Sequence, residues 1–420
     1  MFTNNTLDKR VLYIIGATLL VLIIGIASYF LFFRQTNTSN TSSGSNPFGT
    51  SDGTTGPSQN GGGTPNQPAN GGSFISGENG IVIWKVYDKP VSGAIAIEKG
   101  STTIIRFVDK ATGNIYQQDT VKQDLVRISN TTIPKTQDVT WGKDGNSLLF
   151  RYEENGIIKS LFGKISTTTV PDQGIVSNKY LLEDILGTAA LNNQDKLVYL
   201  LTSKDITGVV ASSLDGSAPS TIFASKLSEW KLSYPKDSSV IITTKASSQT
   251  SGFSYLINTK TKSFTKILGE IRGLTTLSDN KVENILYSSS KNASYGLGVY
   301  VIKNKTSTSL VPPTLTEKCA WSWSKTLVYC GVPNNAPAGE YPDIWYQGKV
   351  TLSDSLWVYD VARSTSLEIA KLHDLTGEDI DVIDISLSSS GKLLLFRNKK
   401  DHTLWAMKVD PNIMPPEYFD

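Results

Sequence analysis

The chain has 420 residues, more than a single compact core usually reaches, which predicts either several domains or one circular repeat architecture. Its 40 Lys and Arg residues stand against 38 Asp and Glu residues, and no block of basic residues alternates with aromatic ones. Because this balance lacks the electrostatic pattern of nucleic-acid-binding proteins, we expect no nucleic-acid partner.

A long apolar segment near the N-terminus predicts a membrane anchor. Residues 11–33, VLYIIGATLLVLIIGIASYFLFF, carry no charge and as a helix would span roughly 34 Å, enough for a hydrocarbon core of about 30 Å. A retained transmembrane helix is favoured over a cleaved signal peptide, because the segment is long and no A-x-A pattern follows it. Lys9 and Arg10 precede the helix, and only Arg34 directly follows it. The positive-inside rule therefore places the tail 1–10 in the cytoplasm and the rest of this single-pass protein outside the cell membrane.

Residues 34–79 are rich in Asn, Thr, Ser, Gly and Pro. Such a composition offers too little apolar surface to offset the entropy of ordering, so we predict a flexible low-complexity linker. A chain of this kind has a root-mean-square reach of about 35 Å, which suits a spacer better than a binding motif.

From residue 80 onwards the sequence is rich in Val, Ile, Leu, Thr and Tyr, and it repeats. Segments such as SLLFRY, KLVYLL, SVIITT, NILYSS, TLVYCG and KLLLFR recur at steps of about 45 residues, the length of a four-stranded propeller blade. One step is longer, and its excess matches a Pro-rich segment, residues 331–354. Each of these segments predicts the second strand of a blade, with an inner strand such as DVTW or VIDISL before it.

Seven such units fit residues 80–410, which predicts an all-β, seven-bladed β-propeller. The last unit lacks a fourth strand, because the C-terminal tail 411–420 is rich in proline. Residues 80–88, GIVIWKVYD, form a spare strand before the first complete unit. We therefore expect this N-terminal strand to complete the last blade and close the ring, which would remove open sheet edges. A β-sandwich or a β-helix built from the same hairpins is the alternative.

The turn WGKDG, residues 141–145, resembles the W-S-P-D-G turn of TolB-type and related WD-repeat-like propellers of bacterial envelopes, and LSSSGKLLLF at residue 387 is a degenerate version. The resemblance extends as a period over residues 80–410. It implies a rigid disc that offers its loops to a protein partner, and it assigns no catalytic residues.

Motifs for catalysis and for metal binding are weak. With two histidines, His373 and His402, and no G-x-S-x-G motif, neither a serine hydrolase nor a zinc site is predicted. The acidic stretch GEDIDVID, residues 377–384, lacks the spacing of a calcium loop and is better explained as a solvated loop between blades. From the sequence we expect no enzyme and no cofactor.

The two cysteines flank a predicted hairpin, CAWSWSKTLVYC. With a two-residue turn at Ser324 and Lys325, Cys319 and Cys330 lie directly opposite each other, so a disulfide is possible outside the cell. Two buried thiols are the alternative.

The insertion, residues 331–354, is the strongest candidate for partner binding, since long loops in compact domains are usually functional or disordered. Its aromatic residues resemble interface hot spots, although they could instead cap the neighbouring blade. In a four-stranded blade, the insertion and the segment 373–380 emerge on the same face, and the linker would join at the opposite face. The predicted partner-binding residues are Tyr341, Asp343, Trp345, Tyr346, Gln347, His373, Glu378 and Asp379.

These patterns predict a membrane-anchored extracytoplasmic propeller that serves as a protein-binding or scaffolding module of the cell envelope. Its partner would be a protein or an envelope polymer. The alternative is a carbohydrate-active or other propeller enzyme with paired carboxylates near the central channel, for which Glu229 and Asp384 are candidates. A purely structural spacer is a third possibility. The identity of the partner and the oligomeric state stay open.

Overall fold

The computed structural model describes residues 72–77, 80–166, 176–181, 185–191, 194–323 and 326–409. Within these residues, seven antiparallel sheets follow one another along the chain, which confirms the seven-bladed β-propeller. No helix of the described part is long and apolar enough to cross a membrane, and the predicted anchor at residues 11–33 lies outside it.

Two strands come before the first complete blade, and blades 1 to 4 then follow in chain order. The first two strands are Ile75–Ser76 (β1) and Val82–Tyr87 (β2). Blade 1 contains Val91–Lys99 (β3), Thr102–Asp109 (β4), Ile115–Asp119 (β5) and Leu125–Arg127 (β6). Blade 2 contains Thr136–Trp141 (β7), Ser147–Glu154 (β8), Ile157–Ile165 (β9) and Val176–Tyr180 (β10). Blade 3 contains Ile185–Leu191 (β11), Lys196–Ser203 (β12), Ile206–Ser213 (β13) and Ser220–Ser225 (β14). Blade 4 contains Trp230–Lys236 (β15), Ser239–Thr244 (β16), Ser251–Asn258 (β17) and Phe264–Arg272 (β18).

The remaining blades include three short helical segments. Blade 5 contains Thr275–Ser278 (β19), Asn284–Lys291 (β20), Ser294–Val301 (β21) and Thr306–Leu310 (β22). Blade 6 contains Cys319–Trp321 (β23), Leu327–Pro333 (β24), Asp354–Asp360 (β25) and Thr365–Lys371 (β26). Blade 7 contains Val382–Leu387 (β27), Leu393–Asn398 (β28) and Leu404–Lys408 (β29). The helical segments are the 3-10 turn Thr316–Lys318 and the α-helices Asp343–Tyr346 and Leu372–Thr376.

The first strand of each blade lies innermost, where it contacts the first strand of a neighbouring blade. Buried aliphatic and aromatic side chains fill the spaces between adjacent sheets. The predicted second strands are therefore confirmed as β8, β12, β16, β20, β24 and β28. We call the face that carries the loops between second and third strands, together with the loops between blades, the upper face.

The ring closes between the two ends of the domain, as predicted. Strand β2 pairs antiparallel with β29, with Val82 opposite Lys408 and Trp84 opposite Ala406. Trp84 is fully buried against blade 1, and its Nε1 donates a hydrogen bond to Gln118 Oε1 at 3.0 Å. The closing blade thus packs against blade 1 as a regular neighbour.

The entry of the chain differs from the expectation. Strand β1, inside the segment assigned to the linker, pairs antiparallel with β2 as a fifth strand. The chain therefore turns back, and Gly72 N donates to Lys85 O at 2.9 Å, while Lys85 Nζ lies 2.6 Å from Glu378 on the upper face. The prediction that the linker joins at the opposite face is wrong, because it took β2 for the outermost strand.

Cys319 and Cys330 lie directly opposite each other in β23 and β24, and their sulfurs are bonded. The bond closes a short loop, with a sequence separation of 11. We expect the double variant Cys319→Ala/Cys330→Ala to lose about 2–3 kcal/mol of unfolding free energy, since a cross-link of this length restricts the unfolded chain. Urea unfolding with and without reductant measures this, and the double variant should not respond to reductant. Equal stability of the oxidised and fully reduced wild type would contradict the assignment.

Candidate functional site

The insertion folds back onto blades 5 to 7. Its rings join a buried cluster with Tyr295 and Leu315, and Tyr341 contacts Tyr295 edge to face at a centroid distance of 4.8 Å. Tyr341 is 1 % exposed and Trp345 is 3 % exposed. These two residues therefore cannot contact a partner directly. They cap the neighbouring blades, which was the alternative to partner binding.

The insertion and the loop before β27 lie side by side on the upper face, as the sequence predicted. Trp345 Nε1 donates to both carboxylate oxygens of Asp381, at 3.1 and 3.0 Å, and Leu352 N donates to Asp381 Oδ2 at 3.0 Å. The backbone of Asp354 adds a bond to Ile380 O at 2.9 Å. One buried carboxylate thus fixes both the helix and the distal part of the insertion.

Beneath the insertion lies a buried triad, Lys318, Asp354 and Asp381. Lys318 Nζ lies 2.6 Å from Asp354 Oδ2 and 2.5 Å from Asp381 Oδ1, and all three side chains are 0 % exposed. Burial raises the pKa of Asp354 to about 6, with Lys318 acting against the rise and Asp381 adding to it. The expectation that residues 377–384 form a solvated loop is therefore wrong for Asp381, whose side chain is buried. Nothing in the sequence pattern predicts the role of Lys318, because its partners lie 36 and 63 residues away.

The other predicted partner-binding residues lie nearer to solvent. Tyr346 is 40 % exposed and Gln347 is exposed, whereas Asp343 Oδ2 accepts a hydrogen bond from Ser248 N at 2.5 Å. On the neighbouring loop, His373 Nδ1 lies 3.0 Å from Asp379 Oδ1, and Glu378 pairs with Lys85. Contact of these residues with a partner stays a prediction.

A pocket with both polar and apolar lining opens in the central channel beside the insertion. Its volume is about 220 Å³, and the side chains that line it include Lys231, Thr243, Thr276, Thr316, Glu317 and Asp384. These residues come from the inner and second strands of blades 4, 5 and 7 and from the 3-10 turn before blade 6. We call this cavity the channel pocket. No short stretch of the sequence reveals this pocket, because its lining residues come from four different blades, 4 to 7, and meet only in the folded domain.

Glu317 connects the channel pocket to the insertion. Lys231 Nζ lies 3.1 Å from Glu317 Oε1, and the Tyr346 hydroxyl donates to the same oxygen. Burial acts to raise the pKa of Glu317, but the charge of Lys231 and these hydrogen bonds outweigh it and lower the pKa. Glu317 is thus an ionised carboxylate at neutral pH, and the partly exposed Tyr346 contacts this lining residue through its hydroxyl.

The acidic residues near the channel mouth are paired with cations. Asp384 binds Arg397, Asp138 lies 2.9 Å from Arg151, and Glu229 lies 2.5 Å from Lys245. A two-carboxylate hydrolase needs one acid that holds a proton and one free base. The candidates Glu229 and Asp384 do not meet this need in the structure. Within the described residues, no group of three or more His, Cys, Asp or Glu side chains could hold a metal ion.

Comparisons with known proteins identify structures of similar fold, but they do not assign the chain to a family. No family model matches the sequence, and no curated protein matches it. Among solved structures, an oligogalacturonate lyase in complex with manganese has a TM-score of 0.56 at 11 % identity, covering 81 % of this chain and 97 % of the lyase. An oligogalacturonate lyase from Vibrio parahaemolyticus has a TM-score of 0.54 at 13 % identity, covering 82 % and 98 %. TolB from Acinetobacter baumannii has a TM-score of 0.41 at 9 % identity, covering 76 % and 79 %.

The expectation that the chain is no enzyme is overturned by these neighbours. It rested on the weakness of catalytic motifs in the sequence, whereas the two lyases are enzymes with this same propeller fold. At these identities the likeness concerns the fold alone, and chemistry has to be argued from this chain's own residues. TolB, to which the turn at residues 141–145 has a resemblance, is among the structures found. The protein is a seven-bladed β-propeller whose fold is similar to that of these two lyases.

Proposed function

We propose that the protein is a membrane-anchored, extracytoplasmic propeller that binds an acidic envelope polymer at the upper mouth of its channel. The observation that carries this proposal is the channel pocket, a cavity with polar and apolar lining whose residue Glu317 accepts a hydrogen bond from the partly exposed Tyr346. In this proposal the segment 11–33 anchors the domain to the cell membrane, and nucleic acid is no ligand.

The lining of the channel pocket suits a chain that carries hydroxyl and carboxylate groups. The hydroxyls of Thr243 and Thr276 hydrogen-bond each other at 2.6 Å, and that of Thr316 bonds Thr275 at 2.6 Å; a hydroxyl oxygen has two lone pairs, so it can also accept from a ligand hydroxyl. Lys231 supplies an ammonium that can pair with a carboxylate of the ligand as well as with Glu317. Tyr346 offers a partly exposed ring for the apolar face of a sugar. A few polar groups around one concave site are typical of ligand-binding pockets.

Two single variants test the proposal. We expect Lys231→Met and Tyr346→Ala each to weaken binding of oligogalacturonate by at least roughly tenfold in calorimetric titrations, because each removes a contact worth about 1.5 kcal/mol or more. Lys260→Met is the matched control, since Lys260 is exposed in the turn between β17 and β18 on the opposite face. Unchanged affinity in both variants would exclude the channel pocket as the binding site. Capture of a protein by the wild type, lost in the same variants, would instead favour a protein partner.

Cleavage of the bound polymer is the second candidate function. It is favoured by the propeller of the two oligogalacturonate lyases, which this chain covers almost completely. Because the mouth carboxylates Asp138, Glu229 and Asp384 are held by cations, elimination is a better candidate reaction than two-carboxylate hydrolysis. In an elimination, a base takes the proton next to the sugar's carboxylate and the glycosidic oxygen leaves, which produces an unsaturated sugar. Ultraviolet absorbance of that product on incubation with oligogalacturonate is the assay, and Lys231→Met should reduce its rate.

A further inference from the structure

Two chains of hydroxyl groups run from the interior of blades 4 and 5 to the channel pocket. In the first chain, Ser254 Oγ lies 3.0 Å from Thr243 Oγ1, which lies 2.6 Å from Thr276 Oγ1. Thr243 is directly opposite Ser254 in the sheet of blade 4, whereas Thr276 reaches it from β19, the inner strand of blade 5. Thr243 and Thr276 both line the channel pocket, so this chain ends at the cavity.

Burial fixes the direction of the protons in this first chain. Ser254 is 0 % exposed, and within the described residues its hydroxyl has Thr243 as its hydrogen-bonding partner. A hydroxyl carries one proton, and a buried donor without an acceptor is costly, so Ser254 donates to Thr243 and Thr243 donates to Thr276. The opposite direction would leave the Ser254 proton unpaired where bulk water does not reach it. The half-buried Thr276 therefore accepts from inside the protein and keeps its own proton for the channel pocket.

The second chain ends on a carboxylate of the protein itself. Thr275 Oγ1 lies 2.5 Å from Ser288 Oγ and 2.6 Å from Thr316 Oγ1. The Thr316 hydroxyl donates to Glu317 Oε2 at 3.4 Å, so the protons of this chain are directed towards Glu317. Among the threonines that line the pocket, Thr276 is therefore the one whose proton no group in the described part of the chain accepts.

Lys231 brings a second donor to the same cavity. It lies directly opposite Thr243 in the paired strands β15 and β16, so both side chains leave the sheet on the side where Thr276 contacts Thr243. Its Nζ lies 3.1 Å from Glu317 Oε1, and because an ammonium group has three N–H donors, others remain for a ligand. An ammonium donor and a hydroxyl donor thus line one pocket, on either side of Thr243.

We infer that Thr276 is a specificity-determining residue of the channel pocket, which donates together with Lys231 to one carboxylate of an acidic sugar unit and discriminates against the corresponding amide. A carboxylate has acceptors only, so each of its oxygens can meet one of the two donors. In a carboxamide, an NH2 group replaces one oxygen and would leave one of these donors unpaired. The class of ligand rests on the proposed function, whereas the direction of the hydroxyl chain does not depend on it.

Ligand-observed NMR titrations of the full-length protein with D-galacturonate and D-galacturonamide test this role. Thr276→Val, which replaces the hydroxyl with a methyl group, should weaken D-galacturonate binding at least roughly tenfold, because a hydrogen bond to a charged group is lost. Binding of D-galacturonamide should weaken by about threefold or less, so the preference for the acid falls. Thr276→Ser should restore that preference, since it restores the hydroxyl. Thr308→Val, an exposed threonine in β22 of the same blade, is the matched control.

The possible outcomes separate this role from the proposed function. A loss confined to D-galacturonamide would show that Thr276 presents its lone pairs to the ligand, and it would overturn the inference. Oligogalacturonate binding that depends on Lys231 but not on Thr276 would also overturn it and leave the proposed function standing. Binding of D-galacturonate that requires the Thr276 hydroxyl, without binding of oligogalacturonate, would do the reverse. Thermal unfolding checks each variant, and Thr276→Ala, with the same expected loss, replaces Thr276→Val if the latter does not fold.

Discussion

Replacing Lys318 with Met is expected to lower the free energy of unfolding by about 3–5 kcal/mol at neutral pH, the largest effect among the variants considered. Lys318 is fully buried and neutralises the carboxylates of Asp354 and Asp381, at 2.6 and 2.5 Å. Without the ammonium group, two carboxylates would share a water-excluded site. Chemical denaturation monitored by Trp fluorescence measures the loss.

The control for this variant is Lys349→Met, which removes an exposed lysine from the same insertion and should change stability by less than about 0.5 kcal/mol. The deficit of Lys318→Met should also shrink at about pH 5, because protonation can then neutralise the carboxyl groups that lost their partner. A deficit that is the same at both pH values, or below about 1 kcal/mol, would contradict the role assigned to Lys318.

Replacing Asp354 with Asn is expected to remove a pH dependence rather than to unfold the protein. Burial raises the pKa of Asp354 to about 6, so the folded chain keeps a proton that the unfolded chain has already lost. The stability from this group is present below the unfolded pKa of about 3.9 and is lost as the pH rises through about 6. Between pH 4 and 7, the difference in unfolding free energy should therefore shift in favour of the Asn variant by up to about 3 kcal/mol.

The matched comparison is Asp381→Asn. Asp381 accepts hydrogen bonds from Lys318, Trp345 and the backbone of Leu352, so loss of its charge should destabilise the protein by about 2–4 kcal/mol at neutral pH. Parallel pH curves for wild type and Asp354→Asn would contradict the assignment of the titrating group. The two variants together separate the pH dependence assigned to Asp354 from the hydrogen bonds through which Asp381 holds the insertion in place.

The buried triad also bears on function, because it positions the insertion. Trp345 donates to Asp381, and its backbone oxygen accepts from Lys399 Nζ at 2.8 Å. Tyr346 follows directly and reaches Glu317 at the channel pocket. The exposed ring proposed to contact the ligand is therefore held by a charged cluster that no ligand touches, as preorganised sites require.

Several features of the domain could be predicted from sequence because they depend on local patterns or simple counting. The second strands can be recognised by runs of aliphatic and aromatic residues that recur at a regular period. The closing strand follows from a missing strand at one end and a spare one at the other. The pairing of Cys319 with Cys330 follows from counting residues across a hairpin, and both the closure and the pairing are present in the structure.

Other features could not be predicted because they depend on contacts between distant parts of the chain. Strand β1 has two residues in a Gly- and Ser-rich context, too few to show alternation, and it forms because β2 presents an edge. Tyr341 and Trp345 look like exposed hot spots in sequence, yet the insertion folds so that both are buried. A loop's composition suggests that it has a role, but its packing decides which side chains reach the surface.

The sequence by itself determined the repeat, the number of blades, the closure of the ring and the face on which the insertion emerges, since hydrophobic alternation and turn spacing are local properties of the chain. Only the tertiary structure decided the channel pocket and the buried triad. Both combine side chains from more than one blade, and their burial and charge balance exist only after these distant parts of the chain have packed together.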